Sequence, residues 1–225
     1  MRASVVLIPL FAATVPLAPS ALNAQQSQNM AVTLRAGTQG IGGEVSKLVV
    51  PHVGIRVGGE FFSLNASHTQ TDISYQFSFK LHSFNALVDL YPGAHGSFHF
   101  TAGVATNPLT ATGTGEPSGS GTFSINNHNY TAGQVGTLTA GLKFSSAAPY
   151  LGLGFGTPAN KKGGLFLAFD LGVRIGKPTF TLSATGASGN AQLASDLTAQ
   201  QNKSQTDVNK LFGWPVIALG IGYRF

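Results

Sequence analysis

The end of the chain constrains its fold more than any other stretch. In Trp214-Pro-Val-Ile-Ala-Leu-Gly-Ile-Gly-Tyr-Arg-Phe225, every second residue is large and apolar: Ile217, Leu219, Ile221, Tyr223 and Phe225. Between them fall Val216, Ala218, Gly220, Gly222 and Arg224. Alternate side chains of a strand point to opposite faces, so this segment is a strand with one greasy face and one small or charged face. A run of about ten such residues is what a tilted membrane-crossing strand needs, with lipid on one side and a lumen on the other.

Composition decides how to read that alternation elsewhere. Charged residues make up 9% of the 225-residue chain, against about 25% in soluble domains, too few to clothe an aqueous surface. Beyond the N-terminal stretch no apolar run reaches the ~18 residues of a membrane helix, which excludes a helical membrane protein. Low charge without long apolar runs is the composition of a transmembrane β-barrel. A soluble barrel of the lipocalin kind is the alternative, with its apolar face inward and its charges outward. The net charge of +5 is not clustered, so nucleic acid is not an expected partner. The absence of cysteine excludes a disulfide framework and thiol chemistry. Met1-Arg2 followed by apolar residues 5–17 reads as a signal peptide over residues 1–24, cleaved after Ala24. Residues 25–225 are then expected to form one outer-membrane barrel domain.

Alternation continues through residues 32–36, 41–50, 53–62, 73–90, 98–104, 137–144, 151–156, 165–175 and 179–184. Within 73–90 its phase changes. Ile73, Tyr75, Phe77, Phe79 and Leu81 share one face, but past Ser83 the apolar positions become Phe84, Ala86, Val88 and Leu90, which predicts a bulge. Thr122 to Thr131 reads as a small hairpin turning at Asn126-Asn127. Residues 191–211 lack Gly and Pro and carry Leu193, Ala194 and Leu197 at helical spacing, which predicts a helix in the last loop.

In lipid, unpaired backbone groups cost several kcal/mol each (an order-of-magnitude figure), so the strands must close into an antiparallel ring. If residues 48–51, 92–96, 145–149 and 176–178 are inner turns, about ten strands result, with a turn at 37–40 on the outer side. Eight result if the first pair counts as one strand or as a lumen segment. The long outer segments are then 107–135 and 186–212. The small or polar face carries Arg35, Glu44, Arg56, Glu60, Lys80, Asp89, Lys143, Asp170, Arg174 and Arg224, expected to form a mutually compensated charge network in the lumen.

Gly152-Leu-Gly154 after Pro149-Tyr150, Phe169-Asp-Leu-Gly172-Val and Ile221-Gly-Tyr-Arg-Phe225 resemble the opacity-protein and OmpA-membrane-domain group of small bacterial outer-membrane barrels. The resemblance covers roughly residues 30–225 and specifies architecture rather than activity. It implies a bacterial outer-membrane location, contact with outer-membrane lipid and lipopolysaccharide, and a monomer. It also implies that Leu219, Ile221, Tyr223 and Phe225 form a terminal insertion signal for the barrel-assembly machinery.

Other motifs are weaker. Gly152-x-Gly154-x-Gly156 lies within a strand and reads as clearance for bulky neighbours rather than a nucleotide loop. The six histidines lack ligand spacing, so no metal or other cofactor is expected. A hydrolase would draw on His99 with Thr101, or His82 with Ser83, and on Glu60 or Asp89. Lys161-Lys162 reads as part of an outer loop that meets lipopolysaccharide phosphates or simply water. The leading expectation is a non-enzymatic barrel with a structural or surface-antigen-like role through its long loops. A narrow porin-like pore and a barrel-embedded hydrolase are the alternatives.

Overall fold

A computed structural model of the protein describes residues 30–70, 73–93, 96–106, 110–117, 121–156 and 163–225. The expected signal peptide lies outside the described residues. The alternating segments are strands β1 (Met30–Gly37), β2 (Gly40–Val50), β3 (Val53–Gln70), β4 (Ile73–Leu90), β5 (Phe98–Thr106), β6 (Thr110–Pro117), β7 (Thr122–Ile125), β8 (His128–Thr131), β9 (Leu138–Phe144), β10 (Ala147–Phe155), β11 (Gly164–Ile175), β12 (Pro178–Ala184) and β13 (Gly213–Arg224). A helical turn α1 (Ala132–Val135) follows β8, and α2 (Ala191–Val208) precedes β13.

β4, β3, β2, β1, β13, β11, β10 and β5 neighbour one another in that order, and β5 pairs back onto β4. The result is a closed ring of eight antiparallel strands. First and last strands seal it, from Ala31 opposite Arg224 to Gly37 opposite Ala218. Closure gives every wall strand partners on both sides, as hydrocarbon demands. The count is therefore eight and not ten. The two surplus strands came from reading 145–149 and 176–178 as turns. The chain keeps its direction there and changes neighbours. β10 pairs with β5 and β11, whereas β9 pairs with β6 and β12. From Phe144 opposite Pro178 to Tyr150 opposite Arg174, one strand advances six positions and the other four, a two-residue bulge that bends the wall.

Both described chain ends and the connections at 51–52, 91–97 and 156–163 share one end of the barrel. The connections at 38–39 and 71–72 and the long segments 118–137 and 185–212 share the other. Short inner turns and long outer loops are the outer-membrane pattern, which makes the second end extracellular. The connection containing Lys161-Lys162, itself outside the described residues, thus joins strands at the inner end, not the outer one.

In the lower wall the apolar residues face out. Leu34, Leu165, Leu167 and Leu219 are between 65% and 77% exposed. On β3 this band runs from Val53 to Phe61, nine residues. At about 3.4 Å per residue and a tilt near 40° they span about 23 Å, close to the ~25 Å apolar band of such barrels. Above Phe61, which stands opposite His82, the faces exchange chemistry. Ile73, Tyr75, Phe77, Phe79 and Leu81 share the inward face, while Ser74, Gln76, Ser78 and Lys80 share the outward one. The expected bulge is absent, because β3 and β4 hold one register from Val53 opposite Leu90 to Gln70 opposite Ile73. The change of phase marks instead the level at which lipid gives way to water.

Above that level the wall is a five-stranded sheet, β3-β4-β6-β9-β12. β1, β2 and β13 stop lower, so the ring is incomplete there. α2 descends along the free edge of β12, capped by the Asn190 side chain, which accepts from the Leu193 N–H at 3.1 Å. The Phe180 and Leu182 N–H groups donate to Gln205 Oε1 and Gln201 Oε1 at 2.7 and 2.9 Å, and Gln205 Nε2 donates to the Pro178 carbonyl at 3.0 Å. Side-chain amides thus replace a missing strand. The β7–β8 hairpin turns at Asn126 and Asn127, whose φ values of 49° and 65° are those of a type I′ turn. Phe123, Ile125 and Tyr130 of the hairpin pack with Leu193 and Leu197 of α2 over Ile73, forming a lid on the vestibule.

Candidate functional site

The lumen within the lipid band is filled by ions. Arg35 Nη1 lies 2.5 Å from Glu44 Oε2, and its Nη2 lies 2.7 Å from Asp170 Oδ2. Arg56 Nη2 is 3.0 Å from Asp170 Oδ1, and its Nη1 is 3.3 Å from Glu44 Oε1. Arg56 Nε is 2.6 Å from Asp89 Oδ2, but its N–H is not aimed along that line, so the contact is Coulombic rather than a hydrogen bond. Arg174 approaches Glu60 at 3.9 Å and donates to Gln39. Neutral groups complete the layer. Asn85 donates to Glu60 at 3.1 Å, and the Thr101 hydroxyl donates to Asp89 at 2.7 Å while accepting from Arg56 at 3.0 Å. All seven charged groups are at most 6% exposed. Ions so far from water persist only when paired, and here three guanidiniums interlock with four carboxylates.

Of the residues placed in the lumen from sequence, Arg35, Glu44, Arg56, Glu60, Asp89, Asp170 and Arg174 meet in this plug. Arg224 faces the lumen nearer the inner end, its guanidinium 5.7 Å from the Phe166 ring centroid. Lys80 and Lys143 do not belong, because they lie above the exchange of faces, exposed on the outside. Of the two histidines, His82 is exposed and faces out. His99 is 1% exposed, with Nε2 3.6 Å from Asp170 Oδ1 and 3.9 Å from Asp89 Oδ1. Asn85 sits on the polar face with Asp89, as the alternation places it; Gln39 and Tyr150 are the lumen residues that the alternation does not point to. The glycine row was the available signal for Tyr150. A Cβ at Gly152 would stand 2.7 Å from the Tyr150 hydroxyl, and one at Gly154 2.6 Å from His99 Nε2 and 2.8 Å from Asp170 Oδ1. Among the described residues no cluster of His, Asp and Glu could hold a metal ion. Leu219, Ile221, Tyr223 and Phe225 all face outward, each about half exposed or more, on the lipid side of β13.

Above the plug, Trp214 meets Phe144 edge-on and Phe79 at a tilt, at ring distances of 5.8 and 6.5 Å, over buried Leu81. Above this aromatic layer the inward face of β4, β6, β9 and β12 carries a cup of about 280 Å³ lined by Phe77, Phe79, Ala111, Ala140, Leu142 and Phe180. The wall facing it is missing between α2 and the unpaired upper edge of β3. Phe62, 41% exposed, and Leu64, 51% exposed, share the inward face of that edge.

The lid has its own polar centre outside the membrane. Asp196 of α2 accepts from Asn126 Nδ2 at 2.9 Å and from the Tyr130 hydroxyl, and His128 Nδ1 lies 2.8 Å away. The hydrogen bonds from Asn126 and Tyr130 hold the Asp196 carboxyl well below the ordinary carboxylate range. The same bond to Asp196 pushes the Tyr130 phenol up to about 12.

No family model matches the chain, and no curated protein matches it. Solved structures do. The fold is similar to that of Acinetobacter baumannii CarO2, with a TM-score of 0.60 and 19% identity over 88% of this chain and 98% of that one. Acinetobacter baumannii CarO gives a TM-score of 0.55, again at 19% identity over 88% and 98% of the two chains. A major outer membrane protein from Thermus thermophilus gives 0.39 at 17% identity, over 87% and 99%. No described helix is long and apolar enough to cross a membrane; the strands cross instead, and the chain is an outer-membrane β-barrel.

Proposed function

We propose that this protein is a non-enzymatic, non-conducting outer-membrane barrel that works through its extracellular half. The observation that carries this reading is the ionic plug, in which seven buried charged groups span the lumen. Eight-stranded barrels have interiors that side chains fill, and nothing here departs from that. A pore therefore has less support. So does a hydrolase, because the Thr101 hydroxyl gives its proton to Asp89 rather than to His99, and the whole set is sealed from substrate. The incomplete wall, the lid and the cup put an accessible concave surface on the outer side, among loops held by a rigid scaffold. Planar-bilayer recording tests the reading: folded protein is expected to give no unitary steps, and a reproducible unit conductance would overturn it. The eight-strand ring also supports kinship with the opacity-protein and OmpA-membrane-domain barrels.

Lipopolysaccharide contact belongs on the outer face. Lys80, Thr110, Lys143 and Thr179 are successive cross-strand partners just above the lipid band. The two lysines stand two strands apart, about 10 Å, and match the phosphates of the outer leaflet in charge and height. Lys80→Ala/Lys143→Ala protein should retain less lipopolysaccharide from mixed micelles than wild type; equal retention would remove this assignment.

A further inference from the structure

The cup has no role in the barrel's construction, yet it is apolar, concave and open to one side. Proteins rarely leave large apolar side chains in an accessible hollow without an occupant. Phe77 is 54% exposed in it, and Leu64 51% exposed beside it. Its volume of about 280 Å³ is below the ~300–1,000 Å³ that enclose a compact drug-sized molecule. That size suits one chain of a longer ligand rather than a whole compact one.

The missing stretch of wall says where such a chain comes from. β1, β2 and β13 end below the cup, and their last outward residues are apolar. Ile41 is 63% exposed and Ile217 46% exposed. Across the gap, Phe61 closes the lipid band of β3 at 59% exposure, and the next residue, Phe62, turns inward. The Phe62 ring meets the cup-lining Phe79 edge-on at 5.8 Å. The lipid band therefore reaches the lowered rim, where the Thr38 hydroxyl is satisfied by the Pro215 carbonyl and the Ile217 N–H, and the apolar surface resumes at Phe62 toward the cup. An acyl chain could follow that surface while its headgroup stayed at the level of Lys80 and Lys143.

Resting on the surface-interaction reading above, we infer that the cup binds one acyl chain of a membrane amphiphile, admitted sideways from the outer leaflet over the rim formed by β1, β2 and β13. The occupant is membrane-borne, because the exposed apolar residues nearest the gap, Ile41, Ile217 and Phe61, belong to the lipid band.

The chain's single tryptophan supplies the test. Trp214 faces inward and lies 6.5 Å, ring to ring, from Phe79 of the cup. Full mature protein is folded into phosphatidylcholine vesicles with or without bromines on the acyl chains, which quench tryptophan on close approach. Quenching of Trp214 is expected in brominated vesicles, and Ala140→Phe, which fills the cup, should at least halve it. Ala111→Phe fills the same space from another strand and serves if the first variant does not fold. Absence of quenching, or quenching that neither substitution reduces, would mean that bromines act only through the wall and would overturn the inference. Quenching seen solely with brominated free fatty acid added to the water would overturn the membrane-borne source. None of these outcomes bears on conduction, so the non-conducting reading stands or falls separately.

Discussion

Arg56→Met is the sharpest probe of the lumen. Arg56 is 2% exposed and faces Glu44, Asp89 and Asp170 at 3.3, 2.6 and 3.0 Å. Removing one partner of a buried pair costs about 3–5 kcal/mol, because the remaining charge is stranded in a poor dielectric. Here three carboxylates lose a shared cation, leaving four against two guanidiniums, so the loss belongs near the middle of that range or above, about 4 kcal/mol. In urea, with a slope of about 2 kcal/mol per molar, the unfolding midpoint of the micelle-bound barrel should fall by about 2 M. Adding Asp170→Asn removes one stranded charge, so the double variant should be less destabilised than Arg56→Met alone. A loss below about 1 kcal/mol, the worth of an exposed pair, would refute the claim that these ions are dry and mutually dependent. A double variant weaker than the single one would refute the pairing.

Three further outcomes follow from the geometry. Gly154→Ala places a Cβ 2.6 Å from His99 Nε2 and 2.8 Å from Asp170 Oδ1, an overpacking that should lower stability by about 1–3 kcal/mol in the same urea assay; Gly133→Ala, with nothing within 4 Å, is its neutral control. Gln201→Ala/Gln205→Ala leaves the Phe180 and Leu182 amides of the β12 edge uncovered, which should cost about 1 kcal/mol per bond and speed amide exchange at those two positions. Asp196 binds its proton more weakly in the closed lid than at the ordinary value of 3.8. Its contribution to lid closure is therefore complete above about pH 4 and lost as pH falls below that. Hydrogen exchange in α2 should rise in acid, and Asp196→Asn should abolish that pH dependence.

Much of the barrel was legible because a strand has period two and lipid enforces it. The final strand and the helix before it sit where the pattern placed them, as does the hairpin at Asn126-Asn127. Strand number was not legible. Pro149, Gly176 and Pro178 are turn-forming residues, and here they occupy places where a continuing strand swaps one neighbour for another, a difference local sequence does not encode. The lumen ions were legible below the water line, where a charge opposite a run of leucines has nowhere else to point. Lys80 and Lys143 obey the same alternation but lie above that line, where apolar side chains turn inward and the rule reverses. The phase change at Ser83 carried this information, and its cause was mistaken for a backbone irregularity. The cup was invisible, since it depends on three strands ending early on the far side of the ring.

The unbroken β3–β4 pair that runs from oil into water acts as a draught mark on a hull. Its backbone is featureless at the crossing, so the depth at which the molecule floats is written only in side-chain identity, at Phe61 and Phe84 on one side and Phe62 and Leu81 on the other. Lengthening all eight wall strands by a matched pair of residues below that mark would lift the cup's doorway clear of the leaflet and keep every pairing above it. Bilayer thickness would by the same logic set how readily the doorway meets its guest, making the surrounding membrane itself the regulator of access.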